Sequence, residues 1–384
     1  MSFEFATANR IIFGAGTLRE IGPIAAEMGR CAGVVTGRSN DRATPLFDLL
    51  AAQGIATVPF NVVGEPTLDL VRQGVQQARQ AGCDFVIGFG GGSVLDTGKA
   101  IAALLTNEGD VFDFLEVIGR GQPLTQPAAP YIAIPTTAGT GAEVTRNAVL
   151  GAPEHKMKVS LRSPFMLPRV ALVDPELTHS LSPDVTASTG LDALTQVMEP
   201  YVSNRANPIT DLFCREGLRR VARSLRRAYE DGGDAAARED MALASLYGGL
   251  ALANARLGAV HGFASPIGGM FPAPHGAVCA RLLPTVMAVN VRALQARQPE
   301  SEALRRYHEI AHLLTGDPGA TASDGVRWVE ELVGDLHVPA LADYGITATA
   351  FPALIEKAAA ASSMQGNPLQ LAAEEMHAIL AASL

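Results

Sequence analysis

"FVIGFGGGSVLDTGKA", residues 85–100, is the stretch on which the fold turns. An apolar run rich in β-formers ends at Gly90, Gly91 and Gly92, and helical spacing follows from Val94. Without a Cβ, these three glycines let the backbone come close to a pyrophosphate and point N–H groups at it. Ser93 adds a hydroxyl, and the N-terminus of the following helix favours an anion. The segment therefore reads as a phosphate cradle between a strand and a helix.

Working outward, "AGVVTG", "IATVPF", "PYIAIPTT" and "RVALVDP" read as further buried parallel strands. Helical spacing fills residues 41–53, 68–81 and 94–105 between them. Strands alternating with helices predict an α/β domain with a parallel sheet, and "HKMKVSL" adds a strand near its end. A second turn, "PTTAGTGAEVT" (135–145), again follows a strand and supplies Thr136, Thr137, Thr140 and two glycines. Two such turns after neighbouring strands suit a dinucleotide lying across the carboxyl ends of the sheet. "GAGTLR" (14–19) lacks the third glycine of the usual dinucleotide fingerprint and reads as a plain turn.

From about Ser182 the chain becomes Ala- and Leu-rich and helix-prone up to Leu384. The expected organisation is a Rossmann-like NAD(P)-binding domain over residues 1–180 and an all-helical domain over 181–384, with the ligand site in a cleft between them. A length of 384 residues exceeds what one hydrophobic core usually supports, which agrees with two domains. The net charge of −9 argues against nucleic acid or an anionic membrane as a partner. No leader-like segment opens the sequence, and no apolar run nears the roughly 18 residues of a membrane span. The four cysteines, Cys31, Cys83, Cys214 and Cys279, lie far apart with no CxxC spacing, so a reduced, cytoplasmic protein is expected.

Two places could hold a metal. Asp192 sits near a helix start with Gln196 one turn on, and "HGFASPIGGMFPAPHG" places His261 and His275 around a Gly/Pro-rich bend. Asp oxygen and imidazole nitrogen suit Zn or Fe(II). "HEIAH" (308–312) matches the metalloprotease pattern, with Glu309 as its base. There, however, Leu304, Tyr307, Ile310, Ala311 and Leu314 fall on one helix side and His308, Glu309 and His312 on the other. A protease has no use for two phosphate cradles, so "HEIAH" is expected to be the polar side of a domain helix.

"RIIFGAGTL", "GGGSVLDTGKA", "PTTAGTGAEVT", "ALVDPELT", "GLDALTQVMEPYVS" and "HGFASPIGGMFPAPHG" follow one another along nearly the whole chain. In that order they resemble the iron-containing (group III) alcohol dehydrogenases, relatives of glycerol dehydrogenase and dehydroquinate synthase. The resemblance implies a dehydroquinate synthase-like architecture, a homodimer, and hydride transfer between NAD(P) and a small alcohol or aldehyde beside a divalent metal. By position it assigns Gly91, Gly92, Ser93 and Asp96 to the pyrophosphate and nicotinamide ends of the cofactor. Thr136, Thr137, Thr140 and Thr145 fall in the second cofactor loop, and Lys158 is similar to a lysine at the nicotinamide ribose. Asp192, His261 and His275 match three of the four family metal ligands.

Three departures stand out. Gln196 replaces the fourth ligand, a histidine, with a neutral and weaker donor. Ser265 stands where the family has a proton-relaying histidine; a serine passes a proton on but does not hold one at neutral pH. Gly37 stands where many members carry an acid that selects NAD. With Arg38 and Ser39 beside it, NADP(H) use is expected. The leading function is thus a metal-dependent NAD(P) alcohol dehydrogenase or aldehyde reductase, with Lys158, His261 and Ser265 at the chemistry. The alternative is a metal-independent enzyme resembling maleylacetate reductase and acting on an unsaturated oxo acid. A lyase resembling dehydroquinate synthase should need several basic residues near the metal for a phosphate, and the metal-site segments offer few; retained Lys158 and three metal ligands speak against a nucleotide-binding protein without catalysis.

Overall fold

A computed structural model describes residues 2–384 and divides them into two units. One holds residues 7–137 and 141–178; the other holds 179–384, residues 138–140 and the stretch ending at Ala6.

The first unit is built on strands β1 (Arg10–Phe13), β2 (Cys31–Thr36), β3 (Ala56–Asn61), β4 (Phe85–Gly90), β5 (Tyr131–Pro135), β6 (Asn147–Ala152), β7 (Met157–Arg162) and β8 (Val170–Val173). Six of them form one parallel sheet in the order β1-β8-β5-β4-β2-β3, while β6 and β7 pair as an antiparallel hairpin. β4 lies centrally and all six of its residues are buried. Phe85, Ile87 and Phe89 pack on one face with Leu46 and Leu50. Val86 packs on the other with Val71, Val75 and Ile101. That two-faced burial is why the strand reads as one continuous apolar run; each large side chain contributes about 1.5–3 kcal/mol.

Helices α1 (Ile21–Ala26), α2 (Thr44–Ala51), α3 (Leu68–Gln80), α4 (Gly92–Thr106) and α5 (Val111–Phe114) complete this unit. The helix expected from residue 41 begins with a 3-10 turn at Asp41–Ala43 and becomes α-helical at Thr44, where Pro45 fits the first turn. β1 escaped the sequence reading. Its four residues are too short to show a period, and only pairing with β8 defines it as a strand. Although far apart in sequence, Cys31 and Cys83 are brought together by the fold, with their Sγ atoms 3.8 Å from each other.

The second unit is all helix: α6 (Pro183–Val202), α7 (Pro208–Glu230), α8 (Ala235–Ala255), α9 (Ala259–Met270), α10 (His275–Arg297), α11 (Glu302–Thr315), α12 (Ala322–Asp335), α13 (Phe351–Ala360) and α14 (Ala373–Ser383). Ser182 starts α6 by accepting a hydrogen bond from the Val185 N–H, with Pro183 in the first turn. α10 is long and apolar enough to cross a membrane, yet 78% of its apolar window is buried inside the protein, as in a core helix. In α11, Leu304, Tyr307, Ile310, Ala311 and Leu314 are all buried. Gly316, with φ at 75°, ends that helix in the left-handed region.

Candidate active site

Asp192 and Gln196 stand one turn apart on α6, and both are buried. His261 lies in the first turn of α9, and His275 opens α10 after the extended Pro274. A Cβ on Gly276 would lie 2.6 Å from the Ser188 carbonyl oxygen, so the glycine permits the start of α10 to close on α6. That approach brings Asp192 Oδ1 within 3.4 Å of His261 Nε2 and 3.8 Å of His275 Nε2. Cys279, one turn after His275, places its Sγ 3.6 Å from His275 Nε2 and 3.8 Å from His261 Nε2. One ligand atom from each of these four residues lies within 4.8 Å of the others.

The pocket fits a cation. Asp192 Oδ1 and Gln196 Oε1 are both buried and accept no hydrogen bond, a costly state for buried oxygens. Glu199, two turns after Asp192 on α6, accepts from the Val260 N–H at 2.7 Å and holds His261 Nδ1 at 2.7 Å. A proton on Nδ1 leaves the Nε2 lone pair facing the cluster, the usual arrangement behind a metal-bound histidine. Burial disfavours charge on His261, but Cys279, Glu199 and Asp192 outweigh it and raise its pKa well above the ordinary histidine value. Burial likewise opposes ionisation of Asp192, and the two imidazoles nevertheless hold its pKa below the usual aspartate value. The shifts describe a buried carboxylate that calls for a positive partner, supplied by imidazolium protons or, in their place, by a divalent ion. Asp192, His261, His275 and Cys279 are the residues that could hold it.

Gln196 is half spent. Its Nε2 donates to the Gly139 carbonyl at 2.9 Å, leaving only Oε1 to offer. Ser265 lies one turn after His261 on α9 and is partly buried. "HEIAH" joins no metal cluster among the described residues. Glu309 pairs with Arg215 at 2.6 Å and Arg305 at 3.3 Å, and His308 Nδ1 accepts the Ala322 N–H at 3.2 Å.

In the α/β unit, the two expected cofactor turns leave the sheet together, because Gly90 pairs with Pro135 in the β4–β5 register. The Thr136 N–H donates to the Gly90 carbonyl at 3.0 Å, and a Cβ on Gly91 would lie 3.2 Å from Thr137 Oγ1. Gly91 has an ordinary extended backbone, so close approach and not a left-handed turn demands the glycine. No side chain caps α4, and its first N–H groups, from Gly92 and Ser93, remain available to an anion.

Lys99, absent from the sequence reading, organises this region from a fully buried position. Its Nζ donates to the Ala142 carbonyl at 3.0 Å and Thr145 Oγ1 at 2.9 Å, and it pairs with Asp96 Oδ1 at 3.0 Å. Asp96 Oδ2 also accepts the Val149 N–H at 2.9 Å. Thr145 and Asp96 therefore brace the loop around Lys99. Lys158 pairs with Glu65 at 3.0 Å on the β6–β7 hairpin side. After β2, a Cβ on Gly37 would meet nothing within 4 Å. Arg38 and Ser39 are exposed, and Ser39 Oγ donates to Asp41 at 3.0 Å.

Comparison with known proteins agrees over the whole chain. The family model for iron-containing alcohol dehydrogenase matches residues 8–175, and that for the C-terminal part of the Fe-containing alcohol dehydrogenase family matches residues 186–384. The chain belongs to the iron-containing alcohol dehydrogenase family. It is 34% identical to a choline dehydrogenase of Bacillus subtilis, over 96% of this chain and 92% of that protein. A 1,3-propanediol dehydrogenase of Klebsiella pneumoniae is also 34% identical, over 98% of this chain and 97% of the relative. The crystal structure of a 1,3-propanediol oxidoreductase superposes over all of both chains with a TM-score of 0.92 at 33% identity. The parallel sheet followed by an all-helical half is the fold of this alcohol dehydrogenase family, and the protein is accordingly an oxidoreductase acting on CH–OH groups.

Within this iron-containing alcohol dehydrogenase, the sequence reading missed Glu199, Cys279 and Lys99. Spacing could have shown the first two. Glu199 follows Asp192 by two helical turns, and Cys279 follows His275 by one. Spacing marks Lys99 only as an i,i+3 partner of Asp96, while its other three acceptors lie 43 to 48 residues further along the chain.

Proposed function

We propose that this protein is an NAD(P)-dependent alcohol dehydrogenase or aldehyde reductase using a divalent metal held by Asp192, His261 and His275. When bound, the metal would polarise the substrate oxygen and the nicotinamide would exchange hydride with its carbon. The observation that carries this reading is Asp192 Oδ1, buried without a hydrogen bond and facing two imidazole Nε2 atoms. Glu199 orients His261 by holding its Nδ1 proton. Gly91, Gly92 and Ser93 offer N–H groups to the cofactor pyrophosphate, and Thr136, Thr137 and Thr140 offer hydroxyls. Lys158 would meet the nicotinamide ribose, while Ser265 Oγ would hand the alcohol proton on towards water.

For the cofactor we infer NADPH over NADH. The open space at Gly37 and the exposed Arg38 support this; Ser39, committed to Asp41, supports it less. NADH used at least roughly tenfold more efficiently would overturn the inference.

The test is metal content on protein purified without air and without added metal, followed by NAD(P)H consumption with aldehydes. The aldehyde of 1,3-propanediol, named for the Klebsiella relative, comes first. Close to one Fe or Zn per chain, with activity lost on chelation and restored by metal, is expected. Metal-free protein that reduces unsaturated oxo acids would turn the reading to the maleylacetate reductase-like alternative.

A further inference from the structure

We propose that Cys279 is a fourth protein ligand, making an Asp192–His261–His275–Cys279 set that favours zinc over iron; this rests on the metal reading above. Distances carry the argument. A tetrahedral zinc with Zn–S of about 2.3 Å and Zn–N or Zn–O of about 2.0–2.1 Å sets S···N near ~3.5 Å and N···O near ~3.3 Å. The structure holds Cys279 Sγ 3.6 Å from His275 Nε2 and 3.8 Å from His261 Nε2, with Asp192 Oδ1 at 3.4 and 3.8 Å from the same nitrogens. Four of the six edges between atoms of α6, α9 and α10 thus lie within about 0.5 Å of tetrahedral lengths, and no edge exceeds 4.8 Å.

A thiol hydrogen bond explains less. One S–H proton serves one nitrogen, yet Sγ approaches two. Glu199 holds His261 by Nδ1, so Nε2, 3.4 Å from Asp192 Oδ1, is the nitrogen that faces the cluster. A divalent ion at this point takes the place of any Nε2 proton and meets all four atoms at once. Gln196 does not fill the fourth place as well, because its amide is fixed by the Gly139 carbonyl and its oxygen is neutral. Cys279 is fully buried on α10, and its sulfur faces the two imidazoles and Asp192.

On metal entry the thiol loses its proton to solvent and the thiolate sulfur donates to the ion, with no redox change. The ligand set then carries two negative charges, from Asp192 and Cys279, balancing a divalent cation. Thiolate is a softer donor than imidazole or carboxylate and suits zinc better than iron(II). His275, with a third of its side chain exposed, marks the open side on which a substrate oxygen could add as a further ligand.

The experiment loads the full-length, chelator-stripped protein with cobalt(II) alone and records its near-ultraviolet and visible spectrum, for wild type and Cys279→Ser. Wild type should bind one cobalt per chain with an intense sulfur-to-cobalt charge-transfer band. Cys279→Ser should lose the band and bind cobalt and zinc roughly tenfold or more weakly, with a smaller zinc-over-iron preference. If wild type binds one cobalt without that band, Cys279 is not a ligand, while the Asp192–His261–His275 reading stands. If wild type binds no cobalt, both readings fall. The wild-type spectrum decides the matter even if the variant does not fold.

Discussion

Two regions of this protein carry paired histidines beside an acid, and they differ in what their polar atoms have left to do. In α11, Glu309 is taken up by Arg215 and Arg305, and His308 serves the Ala322 N–H. Around Asp192, oxygen, nitrogen and sulfur acceptors converge on one buried point and Asp192 Oδ1 accepts no hydrogen bond. The first region matches a metal motif, yet its acid and His308 are engaged elsewhere; the second matches no short pattern, yet its candidate ligand atoms converge. Unspent, convergent acceptors identify a metal centre better than spacing does.

The largest break in that comparison should come from His261→Ala. We expect the variant to lose its metal and about 10³-fold in kcat/KM, since Lewis-acid assistance contributes several kcal/mol. Metal content and steady-state rates check this. A metal-replete, active variant would show that the cluster is a polar core and nothing more.

A second buried acid sharpens the contrast from the α/β unit. Glu143 is buried without a cation-seeking cluster, and burial pushes its pKa up to about 7 against the pull of Lys99. Asp192 keeps its charge by facing imidazoles; Glu143 keeps its proton. In the folded state Glu143 holds the proton more tightly than in the unfolded chain. Its contribution to stability is therefore fully present below the unfolded value and lost as pH rises through 7. The loss amounts to about 3–4 kcal/mol. Glu143→Gln should flatten the fall in stability between pH 5 and 8 and stabilise the protein at pH 8. Denaturant midpoints at the two pH values test it; an unchanged slope would mean the burial cost is met elsewhere.

How much of this was legible in the sequence follows from range. β4 and its glycine turn could be read directly, because burial on both faces makes a continuous apolar run and the glycines follow it at once. The six strands' order could not, since β1 reaches β8 across most of the unit. Asp192, His261 and His275 stood out by residue type and by family likeness. Cys279 did not, although its spacing from His275 equals that from His308 to His312, because a cysteine on an apolar helix reads as core until its neighbours are known. Gln196 was legible as a departure. Only the structure shows its amide already bound to Gly139, a residue from a different loop.

A smaller effect is expected one layer behind the histidine. Glu199→Ala leaves His261 Nδ1 and the Val260 N–H without their acceptor. Metal affinity should fall roughly 10- to 100-fold, and Glu199→Gln, which retains an acceptor oxygen, should recover part of it. Equal affinity in both variants and wild type would show that the tautomer of His261 is set by something else.

The smallest effect belongs to the region with which the comparison began. In the double variant His308→Ala and His312→Ala, the main loss is the acceptor for the Ala322 N–H at the start of α12. Thr321 still caps that helix by accepting from the Asp324 N–H, so stability should drop by only about 0.5–1.5 kcal/mol. Metal content and kcat should stay at wild-type values, because none of the ligand atoms near Asp192 comes from α11. Thermal melting and metal analysis on the same preparation separate the two quantities. A double variant that lost its metal while His261→Ala kept it would reverse the assignment and return the metal to the five-residue motif.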